Sequence, residues 1–272
     1  MNILFIGDIS GRPGREAVAT VLPKIKKEKK IDFVIANCEN AAGGRGVNRK
    51  VVDELINAGI DFFTTGEHVW GIKEFLNDLQ DANLPLIRPL NYEGKNQVPG
   101  KGFKEIDLGK NGNLVVISLI GQTFMKENVR SPFWLIDELF DEKLDNWKNS
   151  IIIVDFHAEA TSEKISLAYY LRNKITALCG SHTHVGTIDT RLIEGTGFVT
   201  DVGMVGPLEA SLWVRFEDVI HNFKYPFKTS FNVEKKGDRI FNSVLIKVSK
   251  QNTKFGIKKC KSIERIDRKL HE

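Results

Sequence analysis

Five short apolar runs, each closing on acidic, amide or imidazole side chains, constrain this 272-residue chain more than any other feature. Ile3-Leu4-Phe5-Ile6 ends in Gly7-Asp8, and Phe33-Val34-Ile35-Ala36 runs into Glu39-Asn40. Phe62-Phe63-Thr64-Thr65 ends in Gly66-Glu67-His68. Ile151-Ile152-Ile153-Val154 precedes Asp155-Phe156-His157, and Ile175-Thr176-Ala177-Leu178 leads to Gly180-Ser181-His182-Thr183-His184. Runs of this length, rich in β-branched and aromatic residues, read as buried strands. In an open α/β sheet, ligands bind beyond the carboxyl ends of the strands. The five runs therefore deliver oxygen and nitrogen donors to one edge, which points to a metal centre and, from the number of donors, to a pair of ions.

The intervals between the runs carry helices. Pro13 suits the first turn of a helix reaching about Lys29. A helix is expected near 48–58 with Gly59 as its stop, and another near 71–80. This βαβ alternation implies a mostly parallel sheet with helices on both faces. Farther on, 103–108 and 114–119 predict a hairpin turning on Asn111-Gly112. Residues 133–147 read as helix, and a strand at 151–156 precedes a helix from about Ser162 to Asn173, capped by Thr161 or Ser162. The stretch 186–206 is punctuated by glycine, and 240–249 with 254–263 reads as an antiparallel pair. No Pro/Ser-rich linker divides the chain, so one domain over 1–272 is expected: a two-layer β core with helices outside.

Composition removes whole classes. No apolar run approaches the roughly 18–20 residues that span a bilayer, and Asp8 follows the first strand too soon for a signal peptide. Three cysteines, Cys38, Cys179 and Cys260, cannot all pair, which suits a reducing, cytoplasmic setting. Cys38 and Cys179 adjoin the donors, but no C-x-x-C spacing supports a thiolate site. The net charge of +4 hides an asymmetry, because residues 247–272 hold nine Lys/Arg against three Asp/Glu. That segment carries +6, so the remainder carries −2 and is no nucleic-acid surface by charge. The basic segment from about 250 is expected to be a solvated tail. Contact with nucleic acid is expected only as substrate or through that segment.

Two neighbouring divalent ions need several hard or borderline ligands and a bridging carboxylate. Asp, Glu, Asn and neutral His suit Fe or Mn, with Zn also compatible. Such a pair activates a shared hydroxide for in-line attack on a phosphoryl group. A spare imidazole nearby protonates the leaving oxygen. Four of the six histidines fall at the strand ends; His221 and His271 fit no motif and read as surface residues. Gly43-Gly44-Arg45-Gly46 brings a cation and backbone amides within reach of a phosphate, so Arg45 is a candidate substrate contact. Arg12 and Arg15 near Asp8 are weaker candidates of the same kind, and Glu159 is a candidate to orient an imidazole.

Gly-Asp, Glu-Asn, Gly-x-His, a lone His and Gly-x-His-x-His, in this order, resemble the calcineurin-like metallophosphoesterase superfamily. The closer resemblance is to its YmdB-like branch of bacterial phosphodiesterases. It rests on Phe5-Ile6-Gly7-Asp8, Glu39-Asn40-Ala41-Ala42, the block Val154 to Lys164, and Thr200-Asp201-Val202-Gly203-Met204-Val205-Gly206-Pro207. It spans roughly residues 1–250. The resemblance implies a four-layer α/β/β/α sandwich with mixed sheets, a di-iron or di-manganese centre, and hydrolysis of phosphodiesters including cyclic nucleotides. A homo-oligomer is also implied. Carried over by position, Asp8, Asn40 and His184 hold the first metal, Glu39 bridges, and His157, His182 and residue 67 hold the second. His68 is then the general acid. The superfamily's usual Asp-x-His is here Asp8-Ile9-Ser10, with Asn40 in place of the lost imidazole. Glu67 departs further, because the family pattern Gly-Asn-His has Asn there.

Two other readings share these residues. His157-Ala158-Glu159 is similar to the His-x-Glu of zinc deaminases, but the Pro-Cys-x-x-Cys partner is missing. A regulatory or scaffolding protein with the same fold and weak turnover is the second alternative, favoured by Glu67 and the basic end.

Overall fold

The structure is a computed structural model, and it describes residues 1–92, 94 and 97–272. The chain opens with β1 (Asn2–Ile6) and the short β2 (Asp8–Ile9), then α1 (Gly11–Lys29). Strand β3 (Phe33–Asn37), α2 (Arg49–Asn57), β4 (Phe62–Thr64) and a single helical turn, α3 (Phe75–Asp78), follow. The second half of the core comprises β5 (Phe103–Asp107), β6 (Asn113–Ile120), α4 (Pro132–Lys143), β7 (Ile151–His157), α5 (Thr161–Tyr170) and β8 (Ala177–Ser181). Strands β9 (Arg191–Ile193), β10 (Thr196–Val199) and β11 (Met204–Pro207) lead to α6 (Phe216–Lys224). The chain ends with β12 (Arg239–Phe241), β13 (Ser243–Asn252), β14 (Lys258–Arg265) and β15 (Arg268–Leu270).

Two mixed sheets face each other. One runs β14-β13-β1-β3-β4, and the other runs β5-β6-β7-β8-β10-β9. The central neighbours β1/β3/β4 and β6/β7/β8/β10 are parallel, while β13, β14, β5 and β9 join antiparallel. Period-2 alternation explains the layering. Ile3 and Phe5 point between the sheets with Val116, Ile153 and Val244. Leu4 and Ile6 point outward, onto Val18, Leu22 and Val52 of α1 and α2. On the far side, Val115, Ile152 and Val154 pack against Ile136 and Leu167 of α4 and α5. Each sheet thus buries both faces, giving an α/β/β/α sandwich. A third sheet, β15-β12-β11-β2, flanks α1.

Several local expectations change. The helix expected over 71–80 is a 3-10 turn at Glu67–Trp70 followed by α3, with Gly71 between them. The hairpin near Asn111-Gly112 forms, but through a 3-10 turn at Gly109–Asn111 and a longer connection than two residues. Helix α5 starts at Thr161 after Ala160, and no side chain caps it. The basic C-terminal segment is no solvated tail. Strand β14 pairs along β13 with Cys260 and Ile263 buried, and β15 pairs with β12. Its charges are partly used inside the molecule: Arg265 donates to the carbonyls of Thr187, Asp201 and Val202 and pairs with Asp267. Among the described residues, no helix is long and apolar enough to cross a membrane.

The strand ends on one side of the sandwich are drawn together by close backbone approach. A Cβ on Gly7 would lie 1.8 Å from the Gly203 carbonyl oxygen, and one on Gly180 would lie 1.8 Å from that of Thr200. Only glycine permits this convergence, and the donor residues sit immediately beyond it.

Candidate metal centre

The candidate residues come from the carboxyl ends of strands in both large sheets. Asp8 follows β1, Glu39 and Asn40 follow β3, Glu67 and His68 follow β4, His157 ends β7, and His182 and His184 follow β8. All eight are brought to one place. Asp8, Glu39, Asn40, His157 and His184 are buried, and Glu67, His68 and His182 lie partly open at the mouth. Asp8/Glu39/His157, Glu67/His157/His182 and Glu39/Glu67/His68 each form a group able to hold an ion. Neither Cys38 nor Cys179 belongs to these groups; both thiols are free and buried, and burial holds them well above the usual thiol range.

The crowding at His157 Nε2 is the central geometric fact. It lies 2.8 Å from Glu67 Oε2, 3.2 Å from Glu39 Oε1 and 3.0 Å from His182 Nδ1. One ring N–H cannot satisfy three such neighbours. Moreover Asp8 Oδ1, Asn40 Oδ1 and His184 Nδ1 are buried without a hydrogen-bond partner. Buried polar atoms are normally satisfied. Orphaned oxygen and nitrogen atoms converging from different strands are what a cation cage requires. Asn40 shows the design clearly: its Nδ2 donates to the Gly44 carbonyl at 2.9 Å and lies 3.1 Å from His68 Nδ1, which leaves Oδ1 free. His184 Nε2 lies 4.0 Å from Asp8 Oδ1.

The protonation balance without an ion is under strain. Burial drives Asp8 well above the usual carboxylate range. Burial pushes His184 down to about 4, leaving the neutral imidazole that a ligand needs. Burial opposes charge on His157, yet Glu39 and Glu67 beside it raise it well above the ordinary value. Glu39 falls to about 2 against its burial, and Glu67 is lowered, chiefly because His157 lies beside both. His68 is raised despite burial through its bond to Glu39, with Nδ1 3.2 Å from Glu39 Oε1.

Residues outside the predicted set hold the donors in place. His157 Nδ1 lies 2.9 Å from Ser181 Oγ, which donates to Asp155 Oδ1 at 2.6 Å. Asp155 also accepts from Thr64 and Asn37, and Asn37 Oδ1 accepts from the Glu39 amide. This network turns Nε2 of His157 toward the carboxylates. Behind the His182–His184 loop, buried Lys164 donates to the Ser181 carbonyl and to Asp201 Oδ2. Asp201 in turn accepts from the Thr183 amide and hydroxyl. The loop needs that support, because His182 and His184 both adopt positive φ, 99° and 64°. Gly66 leaves space for the cluster: a Cβ there would lie 2.3 Å from His157 Cδ2 and 2.4 Å from Glu39 Oε2. The signal for Asp155 was present in the sequence, since it shares a strand face with His157 at i, i+2; Lys164 carried none.

The weaker candidates divide. Glu159 reaches His182, with Oε2 3.2 Å from Nε2. Arg45 is exposed at the rim of the cavity that holds Glu39, Glu67 and His68. Two of the glycine-loop amides are used within the loop: Gly44 N–H is bonded to Asn40 O and Gly46 N–H to Glu39 O. Arg12 pairs with Glu16, and Arg15 with Glu54 and the Ala41 carbonyl. His271 is exposed against Asp238, whereas His221 is only partly exposed, in tilted contact with Tyr225 and edge contact with Phe227.

The model of the family described as YmdB-like protein matches residues 4–266. The chain belongs to the YmdB-like family. The match includes most of the basic segment that the motif resemblance stopped short of. A 2′,3′-cyclic-nucleotide 2′-phosphodiesterase of Bacillus subtilis is 41% identical over 269 residues, covering 98% of this chain and 96% of that protein. A crystallographic structure of a Thermus thermophilus protein superposes with a TM-score of 0.86 at 34% identity, covering 99% of each chain. A phosphatase of Mycoplasma pneumoniae superposes with a TM-score of 0.89 at 28% identity, over 100% of this chain and 94% of that one. The family and the metallophosphoesterase fold thus agree with the reading of the motifs.

Proposed function

We propose that the protein is a dinuclear metal-dependent phosphodiesterase acting on a nucleoside phosphodiester, with a 2′,3′- or 3′,5′-cyclic nucleotide as the simplest substrate. The observation that carries this is the crowding of carboxylates at His157 Nε2 together with the unpartnered buried atoms of Asp8, Asn40 and His184. The likeness to the Bacillus subtilis 2′,3′-cyclic-nucleotide 2′-phosphodiesterase supports the substrate class.

Asp8, Asn40 and His184 would hold one ion, and His157, His182 and Glu67 the other, with Glu39 bridging. Fe and Mn suit this oxygen and imidazole set, and Zn is compatible with it. When bound, such a pair lowers the pKa of a water and offsets phosphate charge. The remaining roles belong to the chain. The Ser181–Asp155 network fixes His157. His68 has Nδ1 engaged by Glu39 and Asn40, so Nε2 is the atom available to protonate the leaving oxygen. Arg45 at the rim attracts the phosphate. Three free buried cysteines suit a cytoplasmic setting.

The test is hydrolysis of bis-p-nitrophenyl phosphate and of a panel of 2′,3′- and 3′,5′-cyclic nucleotides with added Mn²⁺. The proposal expects turnover that a chelator abolishes and the metal restores. Full metal content without turnover would favour the scaffolding alternative.

A further inference from the structure

The excursion 208–238 leaves the body between two paired strands, β11 and β12, and closes at its base through Leu208 N–H to Asp238 O. Its arms are tied by the Val214–Val233 bridge and by Glu234 N–H to Trp213 O. Within it, α6 buries none of its residues, and Phe223 is 89% exposed. Yet this segment walls the candidate metal centre. Trp213, Phe223 and Phe231 line a cavity of about 420 Å³ opposite the metal-ligand candidates. The same three line an adjoining cavity of about 670 Å³ that contains none of the metal-ligand candidates. The Trp213 ring is pressed onto the glycine loop, where a Cβ on Gly44 would fall 2.4 Å from it.

Charge separates the second cavity from a generic apolar groove. Among the described residues no carboxylate lines it, and its charged residues are Arg45 and Lys228. Arg45 borders both cavities and makes no ion pair among the described residues. Aromatic faces flanked by cations, running on from a phosphodiester site, match an anionic chain of stacked bases. Each cavity is of a size that takes a small organic ligand.

We infer that the 208–238 excursion is a nucleobase platform, and that the site takes a phosphodiester bearing a nucleoside on both sides in preference to a mononucleotide. One nucleoside occupies the cavity at the metal centre, and the second stacks on the exposed Phe223 and Phe231, over the largely buried Trp213, beyond Arg45. This rests on the phosphodiesterase reading and narrows its substrate class to dinucleotides, linear as at an RNA end or cyclic.

The experiment is equilibrium binding, by calorimetry, of non-hydrolysable phosphonate analogues to Mn²⁺-loaded protein. The ligands are a mononucleotide, a linear dinucleotide and a cyclic dinucleotide. At least one dinucleotide should bind about 10-fold or more tightly than the mononucleotide, the effect of stacking one further base. Which one does so separates the RNA-end source from the cyclic source. Phe223→Ala, at a largely exposed position, should bring the dinucleotide affinity close to that of the mononucleotide; Lys228→Ala should lower it by a smaller factor. Equal binding of mononucleotide and dinucleotides by the unmodified protein would overturn the inference. So would an unchanged preference in Phe223→Ala, including a case where that variant only converts a dimer to a monomer in sedimentation and so marks the patch as a face between copies. Hydrolysis of bis-p-nitrophenyl phosphate tests the phosphodiesterase reading separately, so protein that turns it over without discriminating dinucleotides loses only this inference.

Discussion

At the scale of single residues, His68 and Glu67 are neighbours with different expected roles. His68 lines the mouth with Nδ1 held by Glu39, so its removal should spare the buried donors. His68→Ala is expected to keep the metal content and lose about 10²–10⁴-fold in turnover. The loss should shrink for p-nitrophenolate, which needs little protonation on leaving. An equal loss with good and poor leaving groups would remove the acid role, and loss of bound metal would make His68 a ligand. Glu67 reaches both histidines of the second group, with Oε2 2.8 Å from His157 Nε2 and Oε1 3.4 Å from His182 Nδ1. It adds a negative charge where the family pattern has a neutral amide. Glu67→Asn should therefore weaken the second metal while kcat/KM at saturating metal stays level or rises, because a less negative centre clamps an anionic phosphate more strongly. Metal titration followed by activity distinguishes this from a variant with unchanged metal affinity and no turnover, which would contradict the charge argument.

At the scale of elements, the loop after β8 depends on a buried ion pair. Lys164 is 0% exposed and Asp201 1%, with Nζ and Oδ2 2.7 Å apart. Lys164→Met keeps the packing of the stem but leaves Asp201 buried with fewer partners. Breaking one side of such a pair costs about 3–5 kcal/mol. The variant should show that loss in chemical denaturation and, where it still folds, weaker metal binding through His182 and His184. Stability within about 1 kcal/mol of the parent would show that the pair does not support the loop. The apolar strand cores and their polar ends were legible because each motif is local: a run of β-branched residues, then donors. The His182–His184 support was not, because Lys164 reaches it from a helix and Asp201 from a later turn. Of the helix expected over 71–80 only the single turn α3 forms, after a 3-10 turn that closes on Gly71.

At the scale of the molecule, the sequence pattern anticipates two β layers with helices outside, and the structure adds how they are closed. Strands β13 and β14 form the expected antiparallel pair, and β13 joins it to β1 from the far end of the chain, a long-range contact that no local pattern announces. Charge counting misread β14, because Cys260 and Ile263 are buried among its charged residues. The 208–238 wall was invisible for the opposite reason. Phe216, Ile220 and Phe223 recur at helical spacing in α6, but Trp213 and Phe231 lie outside that helix, and the group gains meaning only beside the metal centre. The central claim is that these strand ends assemble a site for two ions. The most direct measurement is elemental analysis, with anomalous scattering, of protein saturated with Mn²⁺. The account predicts about two ions per chain, one near Asp8 and His184 and one near His182 and Glu67, with Glu39 touching both. Saturation at a single ion, with Asp8 and His184 far from it, would contradict the account.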